Sequence, residues 1–271
     1  VLNSTYGAMK DKNNALYDAR QANNVCVGGQ LLLLDLIEML EGHCRLIQSN
    51  TDGLIVKLFK DEDYELIDDI CYEWEKRTRM QLEFDSYKKI FQKDVNNYVI
   101  VDFDGNYKSK GAYVKKLDNL DYDLPIVNHA IKQYLLHGIH PRQTIEECQS
   151  LREFQKIVKV SNKYSYALYN PTVTEEKIRD STGKLKTIKV FSGGEIQNEK
   201  CFRVFASKSP LDGGIYKVKR PGKNPEKFAN TPENCFIING DINGMKIPDK
   251  LDKDWYIDLA IKRLEDFGVE L

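Results

Sequence analysis

The chain has 271 residues, of which 41% are hydrophobic and 30% charged, with a formal net charge of −1. This length allows one large domain or two small ones, with enough apolar material for a core. The longest aliphatic run, Leu31–Leu34, is too short to cross a bilayer, and the first residues lack a signal-peptide pattern. Because no run is long enough to span a bilayer, no membrane partner is expected. Six cysteines without a Cys-x-x-Cys pair favour a reduced, cytoplasmic chain.

The first third of the chain has the apolar spacing of helices around one short hairpin. Two glycines, Gly28-Gly29, would divide the first helix into two. A polar stretch, Ser49–Gly53, separates the two strands of the hairpin. In chain order, the predicted elements are a helix over 8–42, strands over 44–48 and 54–59, and a helix over 62–82.

Three more hairpins are predicted, because turn-forming residues separate stretches that favour β-strands. They cover residues 98–114, 175–191 and 202–220. Their turns are placed at Asp104-Gly105, near Ser181–Gly183, and at Asp212–Gly214.

Helical patterns lie between these hairpins and at the end of the chain. A block over 123–160 is helical and is divided at Pro141. The last helix, over 252–268, would begin at Asp252 or Asp254 and end at its final glycine. Because helices and hairpins follow one another without alternating βαβ units, the sequence predicts an α+β fold.

Charge is distributed unevenly along the chain. Residues 61–85 contain ten acidic and three basic residues, whereas residues 200–230 contain eight basic and two acidic ones. A basic segment with interspersed aromatic residues suits a polyanion such as nucleic acid, and an ordinary lysine-rich surface is the alternative. The histidines, including His43, His137 and His140, have no clustered partners in the sequence, which favours ordinary surface or core positions over metal ligands.

The polar stretch Ser49-Asn50-Thr51-Asp52-Gly53 has two interpretations. A tight turn between two apolar strands requires polar, turn-forming residues. An active-site turn would instead use the same rigid position to present the Asp52 carboxylate to a metal ion. The two interpretations are compatible, because one turn can do both.

Four stretches together resemble family B DNA polymerases, most closely the phage-type members. Residues 3–7, Asn-Ser-Thr-Tyr-Gly, are similar to the end of that family's motif B helix. Residues 50–53, Asn-Thr-Asp-Gly, lie where the family has its motif C turn. Residues 92–116 resemble the Lys-x-Tyr element and the following hairpin, and the last helix resembles the closing thumb helix. The four stretches occur in the family's order and spacing.

The resemblance implies a palm-like antiparallel sheet with packed helices, followed by a helical and β-hairpin thumb. Residues 1–116 would form part of the palm, and residues 117–271 the thumb. The implied activity of the complete protein is template-directed nucleotidyl transfer by two Mg²⁺ ions, with primer–template DNA and deoxynucleoside triphosphates as partners. Motif A would lie in a missing N-terminal half, so this fragment alone is expected to be inactive and to bind Mg²⁺ weakly.

The resemblance also implies roles for individual residues. Asp52 would be a catalytic residue and metal ligand, and Asn50 would share the catalytic turn. Asn3 and Tyr6 would face the nascent base pair. The DNA-binding residues would be Lys93, Tyr98, Lys110, Gly111, Lys217, Lys219 and Arg220.

Three positions depart from the family pattern. Asn50 replaces the first aspartate of the motif C turn, and Gly53 replaces its serine. Asn96 stands where the family has the lysine of its Lys-x-Tyr element, which leaves Lys93 as the nearest preceding cation. These departures leave open a non-catalytic nucleic-acid-binding protein with vestigial motifs, or an unrelated interaction domain with chance matches.

Overall fold

The computed structural model describes residues 2–111, 113–114, 123–179 and 183–271, with the backbone alone for residues 2–4. The fold contains helices and antiparallel sheets, so the predicted α+β class is confirmed. The chain divides into two compact units: unit 1, Val1–Ser86, and unit 2, Tyr87–Leu271.

This division differs from the boundary expected at residue 116, which lies outside the described residues. It falls at Ser86 because the sheet that follows packs in the second unit. Val99 and Val114 are fully buried in the same apolar core as Ile131 and Tyr256. The segment that resembles the Lys-x-Tyr hairpin therefore belongs to unit 2.

Unit 1 contains a two-stranded hairpin and three helices. The predicted break at Gly28-Gly29 is wrong, because one continuous helix runs through both glycines. That helix begins after Asp18, whose carboxylate accepts a hydrogen bond from the amide of Gln21 at 2.9 Å. The elements are α1 (Leu2–Lys10), α2 (Ala19–Leu40), β1 (Cys44–Ser49), β2 (Leu54–Leu58) and α3 (Tyr64–Thr78).

Helices α2 and α3 supply the core of unit 1. The Trp74 indole is buried and donates its N–H to the carbonyl oxygen of Leu32 at 3.2 Å. Arg77 of α3 forms an ion pair with Asp35 of α2. The buried core residues are Leu36, Leu40, Ile67, Cys71 and Trp74. One face of α2 is thereby committed to packing inside unit 1.

Among the described residues, α2 is also the one helix long and apolar enough to cross a membrane. Taken alone, the short run Leu31–Leu34 predicts no such segment. The apolar residues on either side of this run make the helix long enough. Core helices of soluble proteins have the same length and composition. Those core helices are mostly buried, whereas 11% of the apolar stretch of α2 is buried, and its buried residues are Ala22, Leu36 and Leu40.

Unit 2 begins with a three-stranded antiparallel sheet and then becomes helical. The sheet has the order β3-β4-β5. The predicted hairpin at Asp104-Gly105 is confirmed by β4 and β5. These elements are β3 (Lys89–Asp94), β4 (Asn97–Val101), β5 (Tyr107–Lys110), α4 (Pro125–His137) and α5 (Pro141–Glu147).

The predicted helical block over 123–160 is correct only in its first part. Its division at Pro141 is confirmed, because this proline opens α5. After a short 3₁₀ turn at Leu151–Phe154, however, residues Lys156–Lys159 form a strand. Val158 lies opposite Phe202 in a neighbouring strand, and both are buried. Tertiary pairing therefore overrides the helical pattern at this end of the block.

The remainder of unit 2 is mostly β-structure and ends in a helix. Asp252 caps that helix by accepting the amide N–H of Trp255 at 3.3 Å, as one of the two predicted caps would. The elements are β6 (Lys156–Lys159), β7 (Tyr166–Tyr169), β8 (Thr172–Arg179), β9 (Leu185–Ser192), β10 (Glu195–Gln197), β11 (Cys201–Ala206), β12 (Ile215–Val218), β13 (Glu226–Lys227), β14 (Cys235–Ile237) and α6 (Lys253–Glu265).

These strands form three sheets, with the orders β14-β11-β6, β10-β7-β12-β13 and β8-β9. The hairpin predicted over 175–191 is confirmed by β8 and β9, although most of its turn lies outside the described residues. The hairpin predicted over 202–220 is wrong, because β11 and β12 belong to different sheets. Each of these two strands has a partner on both edges, which a simple hairpin could not provide.

The main core of unit 2 is centred on Tyr256 of α6. This side chain has no exposed surface, and its ring packs edge to face against Phe154. Its hydroxyl accepts the amide N–H of Ala206 at 3.0 Å and donates to the carbonyl oxygen of Phe154 at 2.7 Å. Burial raises the pKa of Tyr256 above its ordinary value, which keeps the hydroxyl protonated. One hydroxyl thus links α6 to two other segments.

Candidate functional site

The polar stretch at residues 50–53 forms the turn between β1 and β2. Ser49 and Leu54 are the last paired residues, and the amide of Asn50 donates to the carbonyl oxygen of Gly53 at 2.9 Å. The side-chain oxygen of Asn50 accepts the amide N–H of Thr51 at 2.8 Å and its hydroxyl at 3.3 Å. The hairpin interpretation is confirmed. Asn50, expected to be catalytic, uses its amide oxygen to stabilise the turn.

Asp52 lies at the tip of this turn and is exposed. Throughout the described ranges, no hydrogen bond or ion pair engages its carboxylate. The polymerase interpretation would be contradicted by an Asp52 that lay away from a palm-like sheet surface or was locked into an internal contact. Among the described residues its carboxylate has no such contact. The hairpin that carries it, however, forms a two-stranded sheet of its own, and the hairpin that resembles the Lys-x-Tyr element belongs to a different sheet, so the expected palm-like sheet does not join the two. The carboxylate is held by a short, hydrogen-bonded turn and is open to an external ligand.

The turn does not by itself fit a complete Mg²⁺ site. Mg²⁺ prefers six oxygen ligands in a near-octahedral arrangement, and the turn offers one free carboxylate. In the part of the chain that the structure describes, no three His, Cys, Asp or Glu side chains lie close enough to hold a metal ion. His140 accepts the amide N–H of Arg142 at 3.2 Å through Nδ1, so it caps α5.

The Asn-Ser-Thr-Tyr-Gly stretch lies in the first part of α1, which continues to Lys10, whereas its resemblance placed it at the end of a helix. The side chain of Asn3, expected to bind nucleotide, lies outside the described residues. Tyr6, the second expected nucleotide contact, is half-buried, and its hydroxyl lies 2.6 Å from the Cys26 sulfur on α2. Lys10 lies 4.4 Å from the centre of the Tyr6 ring, and its hydrogen bond to Tyr6 raises the pKa of Lys10.

The structure brings Tyr98 and Lys110 together. They lie directly opposite each other in adjacent strands β4 and β5, although twelve positions separate them in the sequence. Tyr98 is half-buried, and Lys110 is exposed and has no ion-pair partner among the residues described. A cation beside an aromatic side chain is a common arrangement at nucleic-acid surfaces. This pair is therefore compatible with the expected role in DNA binding.

The backbone conformation and the close packing at position 111 require a glycine. Its φ of +105° lies in a region that L-residues rarely adopt. A β-carbon at this position would lie 2.6 Å from the carbonyl oxygen of Asn96 and would also meet the side chain of Asn97. These contacts explain the glycine without invoking a close approach to a duplex.

Lys93 was expected to bind DNA as the nearest cation before Tyr98. In the structure it forms an ion pair inside unit 2. Its ammonium group lies 2.7 Å from the Asp266 carboxylate and 4.6 Å from the centre of the Tyr113 ring. The hydrogen bond to Asp266 raises the pKa of Lys93. Arg263 stacks on the same ring at 4.4 Å. No sequence pattern indicates this cluster, because its members come from distant segments.

Lys217 is likewise engaged within unit 2. Its ammonium group lies 4.7 Å from the centre of the Tyr164 ring and 3.5 Å from the Glu226 carboxylate. Tyr164 also donates its hydroxyl to Glu226 at 2.9 Å, and this bond, together with Lys217, lowers the pKa of Glu226. Lys217 therefore stabilises the β12–β13 hairpin, and its charge is partly neutralised.

Lys219 and Arg220 are placed differently, in the connection between β12 and β13. The amide of Lys223 donates to the carbonyl oxygen of Arg220 at 3.1 Å, closing a turn over Pro221-Gly222. Gly222 has a φ of +78°, as the third residue of such a turn requires. Lys219, Arg220 and Lys223, here named the cationic turn, are exposed and have no ion-pair partner in the described ranges.

A cavity of about 630 Å³ in unit 2 was not anticipated from the sequence. Its lining includes Arg203, which donates to the carbonyl oxygens of Asn239 and Gly240. Both signs of charge are present, since Glu199 and Asp241 also line it. No local motif marks this cavity, because its lining residues come from three separate segments.

Comparison with known proteins adds no relative: the chain matches no protein-family model and no curated protein sequence. The resemblance to family B polymerases therefore rests on the residues described above.

Proposed function

We propose that this chain is the C-terminal palm and thumb portion of a family B-type DNA polymerase. The observation that carries the proposal is Asp52, a carboxylate held at the tip of a tight hairpin with no internal partner among the described residues. A turn residue that only stabilised its own loop would be expected to accept a local hydrogen bond, as Asn50 does.

Two further features support the proposal. The Asn-Ser-Thr-Tyr-Gly stretch lies on a helix that contacts α2 in the same unit as Asp52. In unit 2, the cationic turn and the Tyr98–Lys110 pair offer unpaired positive charge and an aromatic surface, which suit phosphate contacts of a primer–template duplex.

In the complete polymerase, Asp52 would supply one ligand of the Mg²⁺ site. The remaining carboxylate ligands would come from the N-terminal half that the resemblance implies. Primer–template DNA and deoxynucleoside triphosphates would be the partners, and the 271 residues alone would not polymerise. A protein with these partners and no membrane contact would act in the cytoplasm.

The second candidate is a non-catalytic nucleic-acid-binding protein with vestigial polymerase motifs. Asn50 favours it, because the turn has one carboxylate where the family has two. The two candidates differ at Asp52. A polymerase requires this residue for primer extension by the full gene product, whereas a binding protein would retain all its nucleic-acid functions after Asp52 is replaced.

Removing the cationic turn should weaken the salt dependence of duplex binding. Each phosphate contact contributes about 0.9 to the slope of log K against log salt concentration. We expect the Lys219→Ala, Arg220→Ala, Lys223→Ala triple variant to reduce that slope by about 2 to 3. Fluorescence anisotropy with a labelled primer–template duplex, measured at several salt concentrations, tests this expectation.

A control with the same loss of charge separates a local footprint from a general charge effect. Lys12, Lys246 and Lys262 are exposed and unpaired within the described residues, and they lie outside the proposed contacts. Replacing all three by Ala should leave the slope nearly unchanged. If both triple variants reduce the slope equally, or if neither does, the cationic turn is not the duplex contact.

The isolated chain should bind Mg²⁺ only weakly. One carboxylate and a turn amide compete poorly with water for this ion. Isothermal titration calorimetry of the 271-residue chain should detect no site that saturates at millimolar Mg²⁺ and is lost in Asp52→Ala. Saturable binding that disappears in this variant would show that the chain contains the further ligands, and the proposed division of the metal site would be wrong.

A further inference from the structure

Helix α2 carries an exposed row of residues on the side away from the core of unit 1. Val27, Leu31 and Leu34 have 52%, 59% and 48% of their surfaces exposed. Polar and charged residues extend the row at both ends and are also exposed. The row, here named the α2 seam, consists of Arg20, Asn24, Val27, Leu31, Leu34 and Glu38.

The spacing of the α2 seam is that of a coiled coil. Successive members are separated by four, three, four, three and four residues, which is the heptad pattern that keeps one stripe facing a partner helix. The core-facing residues of α2, such as Leu36 and Leu40, belong to a different stripe. The helix therefore has a second contact surface after its packing within unit 1 is complete.

The end charges indicate which partner fits the seam. Arg20 and Glu38 lie at opposite ends, eighteen residues or about 27 Å apart. Neither has an ion-pair partner in the part of the chain that the structure describes. A seam with a cation at one end and an anion at the other is complementary to itself when two copies run antiparallel.

We propose that the α2 seam binds the α2 seam of a second copy of this chain, as an antiparallel pair around a two-fold axis. In this register, Arg20 faces Glu38 of the second copy, and Val27 faces Leu31. Leu34 faces Asn24 of the second copy, so a layer that contains one leucine and one amide lies on each side of the two central Val27–Leu31 layers. The arrangement is isologous, as two-fold dimers require, and it does not depend on the proposed polymerase function.

Other orientations and registers of the two helices give less favourable charge and apolar contacts. A parallel pair in register places Arg20 against Arg20 and Glu38 against Glu38, and these like charges repel. Sliding the antiparallel pair by one heptad brings a charged end residue against Leu31 or Val27. In the proposed register the two-fold axis lies at the level of residue 29, so Gly28 and Gln30 flank it on either side of the seam. Gly28 has no side chain to block the approach of the second helix.

The seam is short compared with stable interfaces, so the dimer should be weak. Specific interfaces bury roughly 1,200–2,000 Å² in total, and a contact made by three half-exposed apolar residues per copy is smaller than that. We therefore expect a dissociation constant on the order of 10 μM. Sedimentation equilibrium between about 1 and 200 μM would then show a reversible monomer–dimer transition.

Substitutions on and off the seam test its identity. Leu31→Lys should raise the dissociation constant more than tenfold, since it brings a charge into the central layer. Val25→Lys is the matched control: Val25 is 57% exposed on the same helix but lies off the seam. It should change the constant less than twofold. Circular dichroism would confirm that both variants remain folded.

The charge pair tests orientation and register. Arg20→Glu alone and Glu38→Arg alone should each weaken the dimer severalfold, and the double variant should restore it to within about twofold. Failure of the double variant to restore it would overturn the antiparallel register. The proposal would be wrong if the wild-type chain stayed monomeric at every concentration. It would also be wrong if Val25→Lys weakened the dimer as much as Leu31→Lys does.

One further outcome separates a second copy from a lipid surface. Flotation with neutral phosphatidylcholine vesicles should leave the wild-type chain in the soluble fraction. If the chain floats, and Leu31→Lys prevents flotation while sedimentation shows only monomer, then the apolar row binds lipid and the dimer proposal is wrong.

Discussion

Asp52→Ala should reduce primer extension by the full gene product by a factor on the order of 10³ or more. Such a factor corresponds to about 4 kcal/mol of lost transition-state stabilisation, which is within the contribution expected from a metal ligand in phosphoryl transfer. The structure makes the substitution informative, because Asp52 has no internal hydrogen bond among the described residues whose loss would destabilise the protein. Primer extension under single-turnover conditions, with duplex affinity measured in parallel, checks the result.

A neighbouring substitution provides the control. Thr51→Ala changes an exposed residue of the same turn, whose hydroxyl donates to Asn50 at 3.3 Å and has no other hydrogen bond among the residues that the structure describes. Primer extension should change less than about threefold, because that exposed contact is weak. Asp52→Asn, which retains size but removes the charge, should resemble Asp52→Ala. Full activity in Asp52→Asn would remove Asp52 from the catalytic centre and favour the non-catalytic candidate.

Tyr256→Phe should destabilise unit 2 by about 2 to 4 kcal/mol, although it removes a single oxygen atom. The hydroxyl satisfies two buried backbone groups, the N–H of Ala206 and the carbonyl of Phe154. Each buried group left without a partner costs about 1–3 kcal/mol. Hydrogen exchange of peptides from unit 2, measured across a urea titration, reports this loss separately from unit 1.

Tyr134→Phe is the matched control for this prediction. Tyr134 lies on α4 and packs against the same core, but its hydroxyl has no hydrogen-bond partner among the described residues. Its removal should change the stability of unit 2 by less than about 0.5 kcal/mol. Equal effects of the two substitutions would mean that the Tyr256 hydroxyl contributes no more than an unpaired one.

Local chemistry made the most reliable predictions. The 50–53 turn, the turn at Asp104-Gly105 and the Asp252 helix cap each depend on residues within a few positions of one another. Because turns and caps are determined by short-range hydrogen bonds and backbone preferences, a single sequence is sufficient to locate them. The exposed position of Asp52 followed from the same local reasoning.

Predictions that depended on distant partners failed. The turn residues at 212–214 suggested a hairpin, but β11 and β12 pair with strands from other parts of the chain. Lys93 was expected to be free to contact DNA, but the carboxylate of Asp266, far along the chain, forms an ion pair with it. Sheet pairing and ion pairing of this kind depend on tertiary packing, which neither propensity nor periodicity records. The continuous α2 shows the same limit. Two glycines cost a helix about 1 kcal/mol each, and this helix forms despite them while its later residues Leu36 and Leu40 pack in the core of unit 1.

The asparagine at position 50 has a consequence for when the turn acquires its shape. A pair of adjacent carboxylates repels itself and would need a bound cation to hold both in place. With Asn50, the backbone and amide hydrogen bonds organise the loop on their own. The turn is therefore preorganised: in the proposed metal site, Asp52 would occupy its position before an ion arrived, and ion binding would not need to drive local refolding.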